Sequence, residues 1–517
     1  MTQLSHLDEQ ERYRCFDDLQ LSMPQVWESM RRGLPDESVV VVPSISIERT
    51  TPGSGTVMAA LEERALFLLL LLRQPRLHMI YVTSQPISES IVEYYLGLLP
   101  GVIPSHARAR LTLVPVGDAS TDPLSAKLLA RPRLLREIRA LIPNAARCHL
   151  IPYNTTPLER DVALSLGIPM YGSDPRLADL GSKTGCRRTF EELGVPCPVG
   201  AEDLHTVDDI VAGVQSMRAR RPTLSQAIVK LNEGVSGAGN ALVDLKGLPA
   251  AGSSNEAAAI TDCLLAMQPE AEDLAVDAFL AAFAKHGGIV EERITGATLT
   301  SPSVQMRALP DGTVELLSTH DQVLGGASGQ KYLGCVFPAS PEYAAAIAEP
   351  AMVIGRHLSK LGVLGRFAVD FVVVQDDSGA WTPYAIELNL RKGGTTHPFL
   401  TLQFLTDGCY DGERSVFLTP AGTPKYLVAT DHFEDVRLKT LTVTDLFDIV
   451  VDHGLHFDQA RRTGVVFHMI SCLTECGRVG LTAVGDDPED AWRIYQEAQS
   501  VLLKEADLAL EDVAVIG

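Results

Sequence analysis

The stretch AIELNLRKGGTTHPF, residues 385–399, decides how this chain is read. It starts as an apolar β run, yet Glu387, Asn389 and Arg391 recur at every second position. Successive side chains on a strand point to opposite faces, so these three share one face and Ile386, Leu388 and Leu390 take the other. An acid, an amide and a guanidinium in that pattern suit either a solvated sheet face or a site for a charged ligand. The run then passes into Lys392-Gly393-Gly394, a turn signal.

Upstream, RFAVDFVVV (366–374) is the natural hairpin partner, folded about DDSG (376–379). That hairpin sets Asp370 within one diagonal step of Glu387. Asp370, Glu387 and Asn389 then share a face: two carboxylates and an amide oxygen, hard ligands of the kind that hold Mg²⁺ together with phosphate oxygens.

Two further segments carry the same kind of signal. In AIVKLNEGVSGAGNALVDL (227–245), Lys230 interrupts an apolar strand and a glycine run follows. Glycines let backbone N–H groups approach phosphate, and a nearby lysine adds a point charge. The spacing G-x-x-G-x-G followed by a second strand matches neither a dinucleotide fingerprint nor a Walker loop. What remains is a glycine-rich β-hairpin, which as a lone signal an ordinary turn explains equally well. In GGIVEERITG (287–296), two acids end an apolar strand, as at a hinge for a nucleotide base or at a solvated strand end.

The N-terminal region reads as strands alternating with helices: SVVVVPSISIE (38–48), an apolar helix over about 56–73, LHMIYVTS (77–84), a helix over 88–99, RLTLVPVG (110–117), a helix over about 124–142, and CHLIPYN (148–154). That alternation predicts a doubly wound parallel sheet. From about residue 180 a helix opening at Lys183 leads into strands and hairpins. After about 410 a hairpin of VVFHMI and RVGLTAVG precedes a helix opening at Asp487-Pro488, with acids at the positive end of its dipole.

Bulk properties narrow the field. The chain has 517 residues, with 44 Lys and Arg against 65 Asp and Glu, a formal charge of −21. Such a molecule is poorly suited to nucleic acid or an anionic membrane. The run ALFLLLLL (65–72) falls far short of the roughly 20 residues a membrane span needs. Nine cysteines lack any CxxC pair, which reads as reduced thiols of a cytoplasmic protein.

Lys183, Lys230, Glu291, Asp370 and the Glu387-Leu388-Asn389 triplet occur in an order that resembles the ATP-grasp superfamily. The segments 318–339, IELNLRKGGTTHPF and FHMISCLTECGRVGLTAVGDDPEDA are similar to the pheganomycin-type peptide ligases. The resemblance implies three units: a Rossmann-like pre-ATP-grasp domain (1–178), an ATP-grasp domain of two α+β subdomains (179–410) and a small α+β C-terminal domain (411–517). It implies an ATP-dependent carboxylate–amine ligase working through an acyl phosphate, in specialised peptide metabolism. An ATP-grasp phosphotransferase and a non-catalytic nucleotide-binding module are the rival readings.

Carried over by position, Lys183 and Lys230 bind ATP phosphates and Ser236, Gly237 and Gly239 form the lid. Glu291 and Ile294 sit at the adenine hinge, and Asp370, Glu387 and Asn389 hold Mg²⁺. Arg391 stands beside the transferred phosphate or the substrate carboxylate. Thr298 stands where many relatives have a ribose-binding acid, so Glu292 or Asp321 is expected to substitute. Arg307, Arg366, Gly393, Gly394, Thr395 and His397 are the expected substrate contacts, for a small carboxylate and an amino-acid or peptide amine. Family members commonly pair up, so a homodimer is expected from the resemblance alone.

Overall fold

A computed structural model describes residues 4–47, 54–234, 239–271, 274–325 and 331–516. Four strands, Glu37–Val42, Leu77–Thr83, Leu111–Pro115 and Cys148–Pro152, form a parallel sheet in the order third, second, first, fourth. Their apolar runs suit strands covered on both faces by helices. The order reverses at the first strand, so the C-terminal ends of the first and fourth strands flank a topological switch point.

Two expected helices differ in detail. The segment expected over 56–73 is an α-helix only over Gly55–Glu63 and continues as a 3₁₀ helix, Arg64–Arg73. An unbroken apolar run carries no periodicity, so nothing in it distinguishes 3.0 from 3.6 residues per turn. The helix expected over 124–142 is two helices, Leu124–Leu129 and Pro132–Ala140. Pro132 lacks the N–H that continuity needs and opens the second instead.

A five-stranded antiparallel sheet follows, ordered Gly200–Leu204, Gly288–Glu292, Gln226–Leu231, Asn240–Asp244 and Gln268–Pro269. The larger, nine-stranded antiparallel sheet contains the hairpin of Gly365–Gln375 and Trp381–Asn389. Its far side is built by the C-terminal segment: Tyr426–Glu434, Arg478–Gly485 and Gly464–His468 continue the same sheet from Lys331–Phe337. The short helix Cys472–Cys476 sits between the last two of these in sequence, so they are joined by more than a tight turn. The 3₁₀ segment packs in one apolar core with residues of the parallel sheet, of the helix Thr396–Thr406 and of this C-terminal segment. All nine cysteines are free thiols, and among the described residues no helix is long and apolar enough to cross a membrane.

Glu63 ties the first region to the last. It is buried and accepts from the backbone N–H of Ile470 at 2.5 Å and of Ser471 at 3.3 Å. Burial pushes its pKa from 4.5 up to about 7. The folded state therefore holds this proton more tightly than the unfolded chain. The associated stability is fully present below the unfolded value and is lost as pH rises through the folded one. Glu63→Gln removes that dependence: relative to wild type, the variant gains roughly 2–3 kcal/mol between about pH 5 and pH 8 in denaturant titrations. Parallel pH curves for the two proteins would refute it.

Candidate active site

A cavity of about 380 Å³ lies between residues of the five-stranded and the nine-stranded sheets. Lys183, Lys230, Gly239, Glu291, Glu292 and Ile294 line it from one side, and Asp370 and Glu387 from the other. Ile228, Leu231, Leu324, Phe371 and Ile386 complete an apolar wall.

The hairpin register sets the acidic side. Asp370 pairs directly with Glu387 and Ala368 with Asn389, so Asp370, Glu387 and Asn389 share one face, with a register shift immediately after Asp370. Asn389 Nδ2 donates to Asp370 Oδ2 at 3.1 Å, which turns the amide and the carboxylate toward each other and leaves the amide oxygen available. Burial and the neighbouring Glu387 carboxylate push Asp370 up to about 6, against the pull of the Ser303 hydroxyl. Burial opposes ionisation of Glu387 as well, yet Lys183 Nζ at 2.6 Å from its Oε1 holds it below its ordinary value.

Lys183 opens the helix Lys183–Glu192, capped by Ser182, whose Oγ accepts from Gly185 N at 2.9 Å. Asn232, just past the Lys230 strand, fixes this helix start. Its backbone oxygen accepts from Lys183 N at 3.2 Å and its Oδ1 from Thr184 N at 3.1 Å. Its Nδ2 donates to His286 O at 3.1 Å. One amide thus binds the helix start and the lysine strand to the turn before the Gly288–Glu292 strand. Lys230 Nζ lies 2.5 Å from Glu291 Oε1, and Arg187 Nη1 lies 3.7 Å from Glu291 Oε2. Arg187 is one helical turn beyond Lys183, so its i,i+4 spacing was a readable signal that it shares the face. Asn232 and Ser303 gave none.

Other expected site residues lie elsewhere. Ser236 and Gly237 fall outside the described residues; Gly239 lies at the mouth of the hairpin in which Lys230 pairs with Asn240. The strand ends at Asn389, so Arg391 lies past it in a bend, with its Nη1 donating to Lys392 O at 3.3 Å. Its charge still acts on Lys183, Asp370 and Glu387. Glu292 carries an ion pair with Arg221 and accepts from Val199 N at 3.0 Å. Asp321 is not among the cavity-lining residues: its oxygens accept from Tyr343 Oη at 2.7 Å and Ser340 N at 3.1 Å.

Arg307 and Arg366 pair across adjacent strands, four residues from Asp370 and so roughly 13 Å along the strand. There Arg307 bonds Glu315 and faces the Trp27 ring, while burial and Arg307 lower Arg366 to about 10. They belong to a seam with the N-terminal region. Gly393 N donates to Thr396 Oγ1 at 2.9 Å, and Gly394 packs so tightly on Tyr332 that an added Cβ would lie 2.6 Å from its ring. Thr395 is buried in this turn, and His397 Nε2 meets His468 Nε2 at 3.0 Å.

A family model described as IQCH-like, ATP-grasp matches residues 275–412, and one described as PGM1 C-terminal domain matches 445–498. An L-propargylglycine–L-glutamate ligase of Streptantibioticus cattleyicolor is 28% identical over 449 residues, 85% of this chain and 89% of the relative. IQ motif-containing protein H of Danio rerio is 25% identical over 443 residues; the match spans 77% of this chain but only 42% of that protein. Among solved structures, the biotin carboxylase domain of Hydrogenobacter thermophilus 2-oxoglutarate carboxylase, in complex with MgADP, ADP and bicarbonate, matches with TM-score 0.53. That match is 12% identical and covers 89% of each chain. Campylobacter jejuni biotin carboxylase matches with TM-score 0.52 at 12% identity, over 91% of this chain and 95% of that one. At such identity these structures show the shared fold alone. Two sheets facing each other across one cavity, an ATP-grasp family model that matches residues 275–412 and the fold shared with these structures show that the chain is built on the ATP-grasp fold.

Proposed function

We propose that the chain is an ATP-dependent ligase that joins a carboxylate to an amine through an acyl phosphate, releasing ADP and phosphate. One observation carries this reading: the Lys183–Glu387 ion pair at 2.6 Å joins the phosphate-side helix to a two-carboxylate strand face inside the cavity. The site residues and the three units bounded at 178 and 410 belong to the same proposal.

The residues fit nucleotide and metal. A cavity with an apolar wall and two lysines suits a base at one end and phosphates at the other. Asp370, Glu387 and the Asn389 oxygen are hard donors few enough to leave positions for phosphate oxygens and water, as Mg²⁺ requires. When bound, Mg²⁺ would neutralise phosphate charge and polarise the transferred group. Lys183, Lys230 and Arg391 reduce the repulsion between two anionic reactants. Lys183 and Lys230 are paired with Glu387 and Glu291 in this state. Phosphate binding exchanges those partners, so each lysine stays charged and buried throughout.

The turn Lys392-Gly393-Gly394 leads away from the metal strand and carries the substrates. Likeness to an L-propargylglycine–L-glutamate ligase supports amino-acid substrates and a role in specialised peptide metabolism. The cytoplasmic setting and the homodimer remain part of the reading.

The test is nucleotide product analysis with Mg²⁺, ATP and pooled acids and amines. ADP and phosphate that rise only with an acid–amine pair are expected. AMP and pyrophosphate would sink the acyl-phosphate route, and ADP release indifferent to amine would favour a phosphotransferase.

A further inference from the structure

Both lysines of the nucleotide cavity have an acid beside them, Glu387 for Lys183 and Glu291 for Lys230. Arg366 and Lys392, which do not line that cavity, have none. Arg366 is half-buried, and among the described residues its guanidinium makes no hydrogen bond and no ion pair. Glu315, whose charge reaches it, is itself bonded to Arg307 at 2.8 Å. Lys392 is half-buried too, and its Nζ donates to the backbone oxygen of Pro152. An ammonium has donors to spare once one carbonyl is served.

These charges act on one another. Burial and Arg307 lower Arg366 to about 10, and burial and Arg366 lower Lys392 from 10.5 to about 7. Burial and Lys392 in turn lower His149 from 6.5 to about 4, so that imidazole is neutral and adds no charge. Among the described residues Arg307, Arg366 and Lys392 thus share a single carboxylate, that of Glu315. Like charges drawn together out of water are costly until an opposite charge joins them.

The sheet register places this unmet charge beside the chemistry. Arg366 is four residues before Asp370, and the pairing between them is unbroken. Alternation therefore puts it on the face that carries Asp370, Glu387 and Asn389. The nucleotide cavity extends from Asp370 toward Val372, and Arg366 lies in the other direction. Asn389 pairs with Ala368, so the chain leaving that strand runs past Arg366 to Lys392. Lys392 N donates to Tyr153 O at 3.3 Å, which holds Lys392 at the carboxyl end of the fourth parallel strand, Cys148–Pro152. That end flanks the switch point, where such sheets take their ligands.

We propose that Arg366 and Lys392 hold a carboxylate of the substrate that takes no part in the reaction. A planar guanidinium fork and a point charge are the groups that recognise a carboxylate. Resting on the ligase reading above, the proposal narrows the substrates to pairs in which one partner carries a second acid group. That partner is either a dicarboxylic donor or an amine that is itself an amino acid. The interval back to Asp370, which the two long side chains cover only in part, suits a molecule of amino-acid to dipeptide length.

The test is calorimetric binding to the full chain in the presence of Mg²⁺ and ADP. The probes are the proteinogenic L-amino acids and the linear dicarboxylic acids from malonate to pimelate, each beside the derivative with one carboxylate converted to a carboxamide. At least one free acid is expected to bind, and its carboxamide about tenfold more weakly or worse, the loss of one charge-assisted contact. Arg366→Gln and Lys392→Met should each erode that difference while leaving the carboxamide's affinity unchanged. Without ligand, Arg366→Gln should keep the wild-type urea midpoint or exceed it, because it removes a cation that nothing pairs. Product analysis with ATP then separates the two sources: the carboxylate left free in the amide came from the donor or from the amine. Equal binding of free and amidated forms overturns the inference, as does a preference that survives Arg366→Gln. A markedly lower urea midpoint for Arg366→Gln also overturns it, as the mark of a structural arginine. So does ADP binding without binding of any free acid, which leaves the ligase reading standing; absence of ADP binding ends both.

Discussion

Glu387→Ala lowers kcat for ADP formation about 100- to 1,000-fold, the scale on which one organised electrostatic contact acts. The substitution removes a carboxylate proposed to hold Mg²⁺ and also strands Lys183, which is 7% exposed and has Glu387 at 2.6 Å. An unpaired buried charge costs roughly 3 kcal/mol, so the midpoint of denaturation falls too. Glu387→Gln separates the two effects. It keeps an acceptor for Lys183 and recovers part of the stability, but it loses the negative charge and stays inactive. The readouts are steady-state ADP release and urea denaturation on the same preparations. An active Glu387→Ala enzyme would remove this strand from the chemistry altogether.

Gly185→Ala has the second large effect, through shape alone. A Cβ added there would lie 1.9 Å from Asp179 O and 2.8 Å from Asp179 C, both backbone atoms that no rotamer change can move. The chain before the helix must shift, at about 3 kcal/mol or more by the scale of severe overpacking. Lys183, two residues earlier, moves with it, so ATP affinity falls alongside stability. Gly393→Ala is the contrast: its Cβ meets nothing within 4 Å, and a change within about 0.5 kcal/mol is expected. Denaturant titration and ATP titration of both variants decide the matter. Equal stability of the two would mean that the helix start is looser than its packing indicates.

The hairpin holding Asp370 and Glu387 was legible because a short turn fixes its register, and a period of two then assigns faces. The Lys230 hairpin and the N-terminal parallel sheet were legible for the same reason: turn chemistry and hydrophobic periodicity are local. The 3₁₀ form of Arg64–Arg73 was not, since an apolar run without a polar face has no phase to read. Arg307 and Arg366 show a different limit. They share a strand pair with Asp370, but alternation assigns a face and says nothing about which stretch of that face borders the cavity.

By itself, then, the sequence determined the strand and helix alternation, the acidic face of the 381–389 strand and the order of the basic and acidic groups along the chain. Only the tertiary structure decided that Lys183 meets Glu387, that Asn232 fastens the helix start, and that Arg64 reaches Asp431 across 367 residues. It alone showed the last three long strands extending the central sheet. The physical reason is range. Periodicity, capping and turn propensity act over a few residues, whereas a buried charge finds its partner through whichever sheet edges and helix ends the packed core brings together.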